Sequence, residues 1–308
     1  MRVASLVPSG TLMLRALGVE PVGVSHSCPN PQGLPVLTES LIPEGLSQEE
    51  IDRRVREAYR QGLSLYQVRG EVLSALAPDL LVTQGVCEVC APTPKEVGLA
   101  LDFLARAPRV LELRGRRLGD LFQDLEALGR ALGREGEALA LAEALKGRLA
   151  ALPPPPSPRP RVVFLEWLDP PYLGGHWVPE VVALAGGAYL GPGPGEASRR
   201  VSPKELPEAE VVLLAFCGYG LGEAREAVAR HLARGGWLGE YLEGRRAYLL
   251  DAAPFQALTP LTVEGVGLLA RLLRGEGGLD PGSAAPLEVK GVRDHEPHPR
   301  AAGVPGEV

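Results

Sequence analysis

Val3-Ala-Ser-Leu-Val-Pro-Ser-Gly-Thr11 decides the fold of this chain. The stretch begins as an apolar run that predicts a strand over residues 3–7, and it continues with helical periodicity over residues 11–17. The same succession recurs along the first third of the chain, with further strands predicted at residues 21–24, 78–83 and 109–113. Strands that alternate with helices are typical of βαβ units, so we predict a parallel sheet covered by helices.

A second set of strands follows a connector that cannot be helical. Apolar residues recur at helical spacing over residues 118–149 and predict a long helical segment. Prolines then dominate residues 152–160, and proline lacks the amide proton that a helix needs. Beyond the connector the predicted strands are 161–165, 210–215 and 246–250, and the predicted helices are 179–184, 222–233 and 262–274.

Two α/β lobes fit this pattern, because 308 residues are enough for two compact cores. We predict an α/β protein with two Rossmann-like lobes of parallel sheet. Ligands of open parallel sheets bind outside the carboxyl ends of the strands, so a ligand cleft is expected between the lobes. The predicted parts are an N-terminal lobe at residues 1–117, a linking long helix at 118–150, a C-terminal lobe at 151–275 and a flexible tail at 276–308.

The composition excludes several classes of function. The formal net charge is −6, whereas nucleic-acid binding draws on clustered Lys and Arg, so no nucleic-acid partner is expected. The sequence has no run of about eighteen apolar residues, so no membrane insertion is expected. It also lacks a Gly-x-Ser-x-Gly elbow and a His-Glu-x-x-His motif, so we expect a protein that is not an enzyme.

The N-terminus predicts a location. Residues 1–8 pass straight into the first strand, without the basic segment, apolar run and cleavage site of a signal peptide. The chain as written is therefore expected in the cytoplasm, and a periplasmic or extracellular location is expected if the true start lies upstream.

All four cysteines follow predicted strands: Cys28, Cys87, Cys90 and Cys217. They are therefore placed at the strand ends that line a cleft. Because Cys-x-x-Cys holds two sulfurs close enough to share one ion, these residues predict a zinc ion, an iron–sulfur cluster or a redox pair. The alternatives are a Cys87–Cys90 disulfide, or cysteines that only pack as small apolar side chains near the core.

A dense patch of aromatic and ionisable residues follows the connector, in Phe164-Leu-Glu-Trp-Leu-Asp-Pro-Pro-Tyr-Leu-Gly-Gly-His-Trp-Val-Pro179. Flat aromatic faces suit a large planar ligand, so we predict that Trp167 and Trp177 contact one. His176 is predicted to be an axial ligand or a hydrogen-bond donor, with Glu166 beside it. Gly174-Gly175 would let the backbone approach something bulky. The alternative is that the two tryptophans fill the hinge between the lobes.

Four further residues are predicted to reach the cleft. Ser9 stands at the start of the first helix, where free amides can meet an anionic group. His26 lies just beyond the second predicted strand, and Phe255 follows the last one. Tyr66 is the fourth. A simple helix cap explains Ser9 equally well, and a core position explains Tyr66 equally well.

A family resemblance is carried by three phrases, Val3-Ala-Ser-Leu-Val-Pro-Ser-Gly-Thr11 with Leu14-Arg-Ala-Leu-Gly18, Val22-Gly-Val-Ser-His26, and Pro78-Asp-Leu-Leu-Val-Thr-Gln84. In these the chain resembles the substrate-binding proteins of iron-siderophore and vitamin B12 ABC importers, particularly a cobalamin-binding subgroup that lacks export signals. The resemblance covers residues 2–273 and implies two lobes joined by one long helix, here residues 118 to about 132. It also implies a corrinoid or another metal chelate as ligand, and an ABC importer permease as partner.

Two functional hypotheses follow. The first is non-catalytic binding of a corrinoid-like ligand between the lobes through Ser9, His26, Tyr66, Glu166, Trp167, His176, Trp177 and Phe255. The alternative is a cytosolic metal, iron–sulfur or redox protein that uses Cys28, Cys87, Cys90 and Cys217.

Overall fold

Residues 1–85, 92, 94–102, 104–276 and 282–287 are described by the structure, a computed structural model. They form two lobes, each built on its own sheet, as the sequence predicts. Among these residues, no helix combines the length and the apolar composition needed to span a bilayer.

The N-terminal lobe is built on a parallel sheet in the order β1-β4-β5. The predicted strand at residues 21–24 joins this sheet through an isolated bridge between Gly23 and Ala4, and a second isolated bridge pairs Val24 with Val36 outside the sheet. The elements of the lobe are β1 (Val3–Ser5), α1 (Pro8–Ala16), β2 (Thr38–Ser40), α2 (Gln48–Gln61), β3 (Tyr66–Val68), α3 (Gly70–Leu76), β4 (Leu80–Gln84), α4 (Pro94–Leu101) and β5 (Arg109–Leu113).

An excursion that the sequence analysis missed leaves this lobe between β2 and β3. The two strands pair antiparallel, with Glu39 opposite Gln67, so the chain departs and returns at one place. Helix α2 lies between them and begins with a capping box, in which the Ser47 hydroxyl accepts from the Glu50 amide and the Glu50 carboxylate accepts from the Ser47 amide. That Ser-x-x-Glu spacing is the sequence signal that predicts this helix.

The prediction of one long linking helix is wrong, because the segment forms two helices, α5 (Asp120–Leu132) and α6 (Glu135–Ala150). Gly133 ends α5 in the left-handed region at φ 68°, a conformation that glycine adopts without steric cost. The two helices pack closely near that turn: a Cβ at Gly129 would lie 2.4 Å from the Cβ of Ala138.

The C-terminal lobe is built on a sheet in the order β12-β11-β10-β6-β7-β9, with β8 also paired to β6. Strands β6, β10 and β11 are parallel, and β10 is buried along its whole length, as expected of a strand covered on both faces. The elements are β6 (Arg161–Trp167), β7 (Tyr172–Leu173), α7 (Val178–Leu184), β8 (Ala188–Tyr189), β9 (Arg199–Arg200), a 3-10 turn (Pro203–Glu205), β10 (Val211–Leu214), α8 (Leu221–Ala233), α9 (Leu238–Leu242), β11 (Arg246–Leu250), α10 (Ala253–Gln256), α11 (Pro260–Leu273) and β12 (Ala284–Pro286).

Strand β12 corrects the prediction of a flexible tail. Ala285 pairs with Leu249 of β11 in antiparallel register, so residues 284–286 belong to the sheet. The remainder of the predicted tail, at 277–281 and 288–308, lies outside the described residues.

One apolar core runs through both lobes. It contains Val3 and Leu80 of the first sheet, Leu125 of α5, and Phe164 and Leu269 of the second lobe. Packed interiors resist deformation because their side chains interdigitate and leave few voids into which they could move. The lobes are therefore held together by side-chain packing as well as by their connection.

A pair of glycine substitutions tests the packing of α5 on α6. Gly129→Ala should destabilise the protein by about 1–3 kcal/mol, because the new methyl group overlaps Ala138. Gly147→Ala, on α6, meets nothing within 4 Å and should stabilise by about 1 kcal/mol through helix propensity. Urea unfolding measures both changes. Equal effects of the two substitutions would contradict the close helix contact.

Candidate functional site

Three loops of the C-terminal lobe are tied together beyond the carboxyl ends of β6, β10 and β11. The Cys217 amide, after β10, donates to the Glu166 carbonyl oxygen at 3.1 Å. The Gly218 amide donates to Oε1 of Gln256, after β11. Trp177 Nε1 donates to the Phe255 carbonyl oxygen at 3.0 Å, which ties the loop after β6 to the loop after β11. Parallel pairing of the strands thus brings the predicted residues of this lobe to one edge.

Glu166 lies in a partly buried polar cluster at this edge. The Ser198 hydroxyl donates to Glu166 Oε2 at 2.5 Å and accepts from the Gly175 amide at 3.2 Å. The Tyr189 hydroxyl donates to the adjacent Gly174 carbonyl oxygen. Burial raises the pKa of Glu166 to about 7, although its hydrogen bonds act in the opposite direction. Ser198 was not predicted, since a lone serine in a glycine-rich loop carries no sequence signal.

The two glycines before His176 pack closely against other residues of the same lobe. A Cβ at Gly175 would lie 2.3 Å from the Ser198 nitrogen, and one at Gly174 would lie 2.9 Å from a methyl group of Val178. The space that a Cβ would occupy at these glycines is filled by protein atoms, so the expectation that they make room there for a bulky ligand is wrong. Their absence of side chains lets the loop at residues 195–198 pack against the turn that carries His176.

This turn fixes the backbone of His176. Its amide donates to the Glu196 carbonyl oxygen at 2.6 Å, and its carbonyl oxygen accepts from the Gly195 amide at 2.8 Å. The residue has φ 54°, an uncommon conformation for a side chain other than glycine, asparagine or aspartate. Its ring centroid lies 6.0 Å from that of Trp177, and its buried Nδ1 has no hydrogen-bond partner among the described residues. Burial, and secondarily Arg116, lowers the pKa of His176 and favours the neutral imidazole.

A second imidazole, His26, stands at the surface of the N-terminal lobe. Its Nδ1 lies 2.7 Å from Oγ1 of Thr38, which itself donates to the Ser25 hydroxyl. The His26 ring lies beside Tyr66, with 5.4 Å between ring centroids. Burial, followed by the charge of Arg69, lowers the pKa of His26. Because the Thr38 hydroxyl hydrogen is used on Ser25, Nδ1 of His26 is the donor, and its Nε2 carries the lone pair.

Two predicted ligand contacts are interior side chains. Phe255 is 2% exposed and packs edge-on against Phe164, with ring centroids 5.4 Å apart. Ser9 is buried in the first turn of α1, where its hydroxyl donates to Gln84 Oε1 at 3.1 Å. Both residues lie at strand or helix ends, as predicted, but their side chains are used within their own lobes.

Trp167 lies at a contact between the two lobes. Its Nε1 donates to the Gln48 carbonyl oxygen at 3.1 Å, and its ring meets that of Tyr219 edge-on. Gln48 and its neighbour Asp52, both on α2, contact the C-terminal lobe although neither was predicted. No local pattern marks them, because their partners lie about 120 residues away in sequence.

Two of the four predicted cysteine ligands, Cys28 and Cys217, lie within the described residues, whereas Cys87 and Cys90 lie outside them. Cys28 is buried, accepts from the Thr11 hydroxyl at 3.1 Å, and has a pKa raised by burial. Cys217 is partly buried beside Glu166. Within the described part of the chain, no group of three or more His, Cys, Asp or Glu side chains forms a metal site. The four-cysteine site stays a prediction.

Comparison with known proteins identifies the fold. No family model matches the chain, and a search of curated proteins finds no match. Among solved structures, a periplasmic heme-binding protein from Pseudomonas aeruginosa superposes with a TM-score of 0.65 at 20% identity, over 92% of this chain and 97% of that one. The vitamin B12-binding protein BtuF of Vibrio cholerae superposes with a TM-score of 0.57 at 16% identity, over 89% of this chain and 98% of that one.

The chain has the fold of these binding proteins. The heme-binding protein RhuT from Roseiflexus sp. RS-1 agrees, with a TM-score of 0.64 at 20% identity over 89% of this chain and 98% of that one. The resemblance in fold inferred from the sequence is confirmed. Several matched proteins are named as periplasmic, so the comparisons give no support to the cytoplasmic location expected from the N-terminus.

Glu166→Gln tests the polar cluster beneath His176. In the folded protein the Glu166 pKa is raised to about 7 from its ordinary 4.5, so the native state binds this proton more tightly than the unfolded chain. Its stabilising effect is complete below about pH 4.5 and is lost as the pH rises through about 7. Glutamine keeps an acceptor for Ser198 without titrating.

The free energy of unfolding of Glu166→Gln relative to the wild type should therefore rise with pH, by on the order of 1–3 kcal/mol between pH 4.5 and 8. Urea unfolding across this range measures it. Asp124, whose pKa burial raises to about 6, titrates in both proteins and cancels in the difference. A difference that does not depend on pH would show that Glu166 is not a buried acid.

Proposed function

We propose that the chain binds a large planar metal-bearing macrocycle, a corrinoid or a heme, between its lobes and releases it chemically unchanged. One observation carries the proposal: each lobe holds an imidazole beside an aromatic ring. His26 lies beside Tyr66 in the N-terminal lobe, and His176 lies beside Trp177 at the carboxyl edge of the other sheet. Aromatic faces suit the plane of a macrocycle, and neutral imidazole is the side chain that most often binds its metal.

The protonation of His26 supports an axial role. Its Nδ1 is engaged by Thr38, which fixes the tautomer and orients the ring, and the lone pair then lies on Nε2. Metal-binding histidines are commonly oriented in this way by a hydrogen bond from the other ring nitrogen. The lowered pKa of the imidazole keeps that lone pair available at neutral pH.

The fold supports the same class of function. The matched proteins include ones named for binding heme and vitamin B12, and another named as an ABC-transporter substrate-binding protein. By analogy, the partner we propose is the permease of an ABC importer, which would receive the loaded protein. Fold alone does not determine the ligand, so the choice between heme and corrinoid rests on experiment.

The cysteine alternative has less support from the described residues. A thiol binds metal as the thiolate, whereas burial raises the pKa of Cys28 and its sulfur accepts a hydrogen bond from Thr11. Both effects favour the alternative prediction that Cys28 packs as a small apolar side chain near the core.

Titration with heme, hydroxocobalamin and cyanocobalamin tests the proposal. We expect heme or hydroxocobalamin to bind at micromolar concentration or tighter, corresponding to about 8 kcal/mol or more. Cyanocobalamin should bind more weakly than hydroxocobalamin, because cyanide occupies the axial position that an imidazole would take. Binding should quench the tryptophan fluorescence of the protein in a saturable way.

Variants locate the site in the same assay. His26→Ala or His176→Ala should weaken binding roughly tenfold or more, and Arg225→Ala, an exposed position on α8, should not. The proposal fails if none of the three macrocycles binds more tightly than about 1 mM.

A further inference from the structure

The excursion formed by β2, α2 and β3 connects the two halves of the candidate site. It leaves the N-terminal lobe as a two-stranded ribbon, closed by the Leu41 amide donating to the Leu65 carbonyl oxygen at 2.9 Å. Its return strand begins with Tyr66, the ring beside His26. Its helix, α2, contacts Trp167, the last residue of β6 in the C-terminal lobe.

Helix α2 is held there by polar contacts of its first turns, which we call the clasp. The Gln48 carbonyl oxygen accepts from Trp167 Nε1, and Gln48 Oε1 accepts from the amides of Leu168 at 2.7 Å and Asp169 at 3.3 Å. One turn later, Asp52 Oδ1 accepts from the Tyr172 hydroxyl at 2.8 Å. The clasp therefore joins one lobe to the other through two residues of α2.

The charge around Asp52 strengthens the clasp. Arg56 Nε donates to Asp52 Oδ2 at 2.8 Å from the same helix, and Arg200 Nε approaches that oxygen at 4.0 Å from β9. The Asp52 side chain is 5% exposed, so its contacts are shielded from water more than those of a surface pair. Burial, and secondarily Asp52, raises the pKa of Tyr172 to about 12, so its hydroxyl remains the donor.

The rest of α2 is anchored lightly. Within this fully described helix the buried residues are Gln48 and Asp52, and Tyr59 near its other end is 52% exposed. Most helices in proteins are held by a buried apolar stripe, whereas the apolar side chains of this one are at most partly buried and its buried contacts are the hydrogen bonds at its start. A cavity of about 310 Å³ lies directly beside the clasp, lined by residues that include Gln48, Leu168 and Tyr219.

We infer that Gln48 and Asp52 are positioning residues that keep α2 closed across the interlobe gap, and that detachment of α2 controls exchange of the ligand. The continuous core limits separation of the lobes themselves, so α2 is the part whose release opens the gap at least structural cost. Release breaks the contacts of α2 with Trp167 and Tyr172 and so uncouples the excursion from the C-terminal lobe. The clasp itself is independent of any ligand, whereas its control of ligand exchange rests on the proposed function.

Hydrogen exchange of the full-length protein without ligand tests the clasp directly. The Leu168 and Asp169 amides should exchange roughly tenfold or more faster in Gln48→Ala and in Asp52→Ala than in the wild type. Arg53→Ala, an exposed position on the same helix, should leave them unchanged. Exchange within twofold of the wild type in both clasp variants would overturn the inference, whether or not a macrocycle binds.

A second pair of variants guards against loss of folding. Tyr172→Phe removes the hydrogen bond to Asp52 from the other lobe and keeps the ring, and Asp52→Ala removes it from α2. If the contact acts as a clasp, the two substitutions in one protein should accelerate exchange less than the product of their separate effects, because they remove one interaction. Fully multiplicative effects would contradict it.

Stopped-flow binding of heme or hydroxocobalamin then tests control of exchange. A clasp that closes both the empty and the loaded protein predicts that Asp52→Ala and Tyr172→Phe raise the association and dissociation rates together, roughly tenfold, with a much smaller change in Kd. An increase confined to the dissociation rate would identify these residues as ligand contacts and overturn their assignment as a clasp.

Discussion

Parallel pairing of β6, β10 and β11 is the constraint on which the rest of the molecule depends. Because all three strands end at the same edge, the loops that follow them meet and can be cross-linked by the amides of Cys217 and Gly218 and the indole of Trp177. The edge is then rigid enough to hold His176 in a left-handed conformation and to bury Glu166 beneath it. The N-terminal lobe contacts the C-terminal lobe through α2, through the shared apolar core, and through Arg117, whose guanidinium pairs with Glu180 at 3.1 Å.

The proposed function depends on two kinds of contact between the lobes, one that is rigid and one that can be released. The core that runs from Val3 through Leu125 to Leu269 fixes the spacing of the lobes on the hinge side. Hydrogen bonds from Gln48 and Asp52 fix it on the other side, and these can exchange with water. In the proposed function, the packed core would hold the lobes at a fixed spacing and the contacts of α2 would open for the ligand.

The sequence predicts those parts of the fold in which the signal is local. Buried runs such as Val211-Val-Leu-Leu214 identify the strands, and proline at 152–160 separates the lobes. Apolar spacing does not mark Gly133 as a helix end, because that spacing continues on both sides of it. His26 and His176 could be named from strand ends, whereas the interior positions of Ser9 and Phe255 depend on partners distant in sequence. Gln48 and Asp52 could not be found at all, since a polar residue on a charged helix gives no sign of its contact with the other lobe.

A crystal structure of the protein grown with heme or hydroxocobalamin tests the central claim most directly. We expect a macrocycle between the lobes, with its metal bound by the imidazole of His26 or His176 and its faces against Tyr66 and Trp177. A macrocycle bound on the outer surface of one lobe, away from both imidazoles, would contradict it.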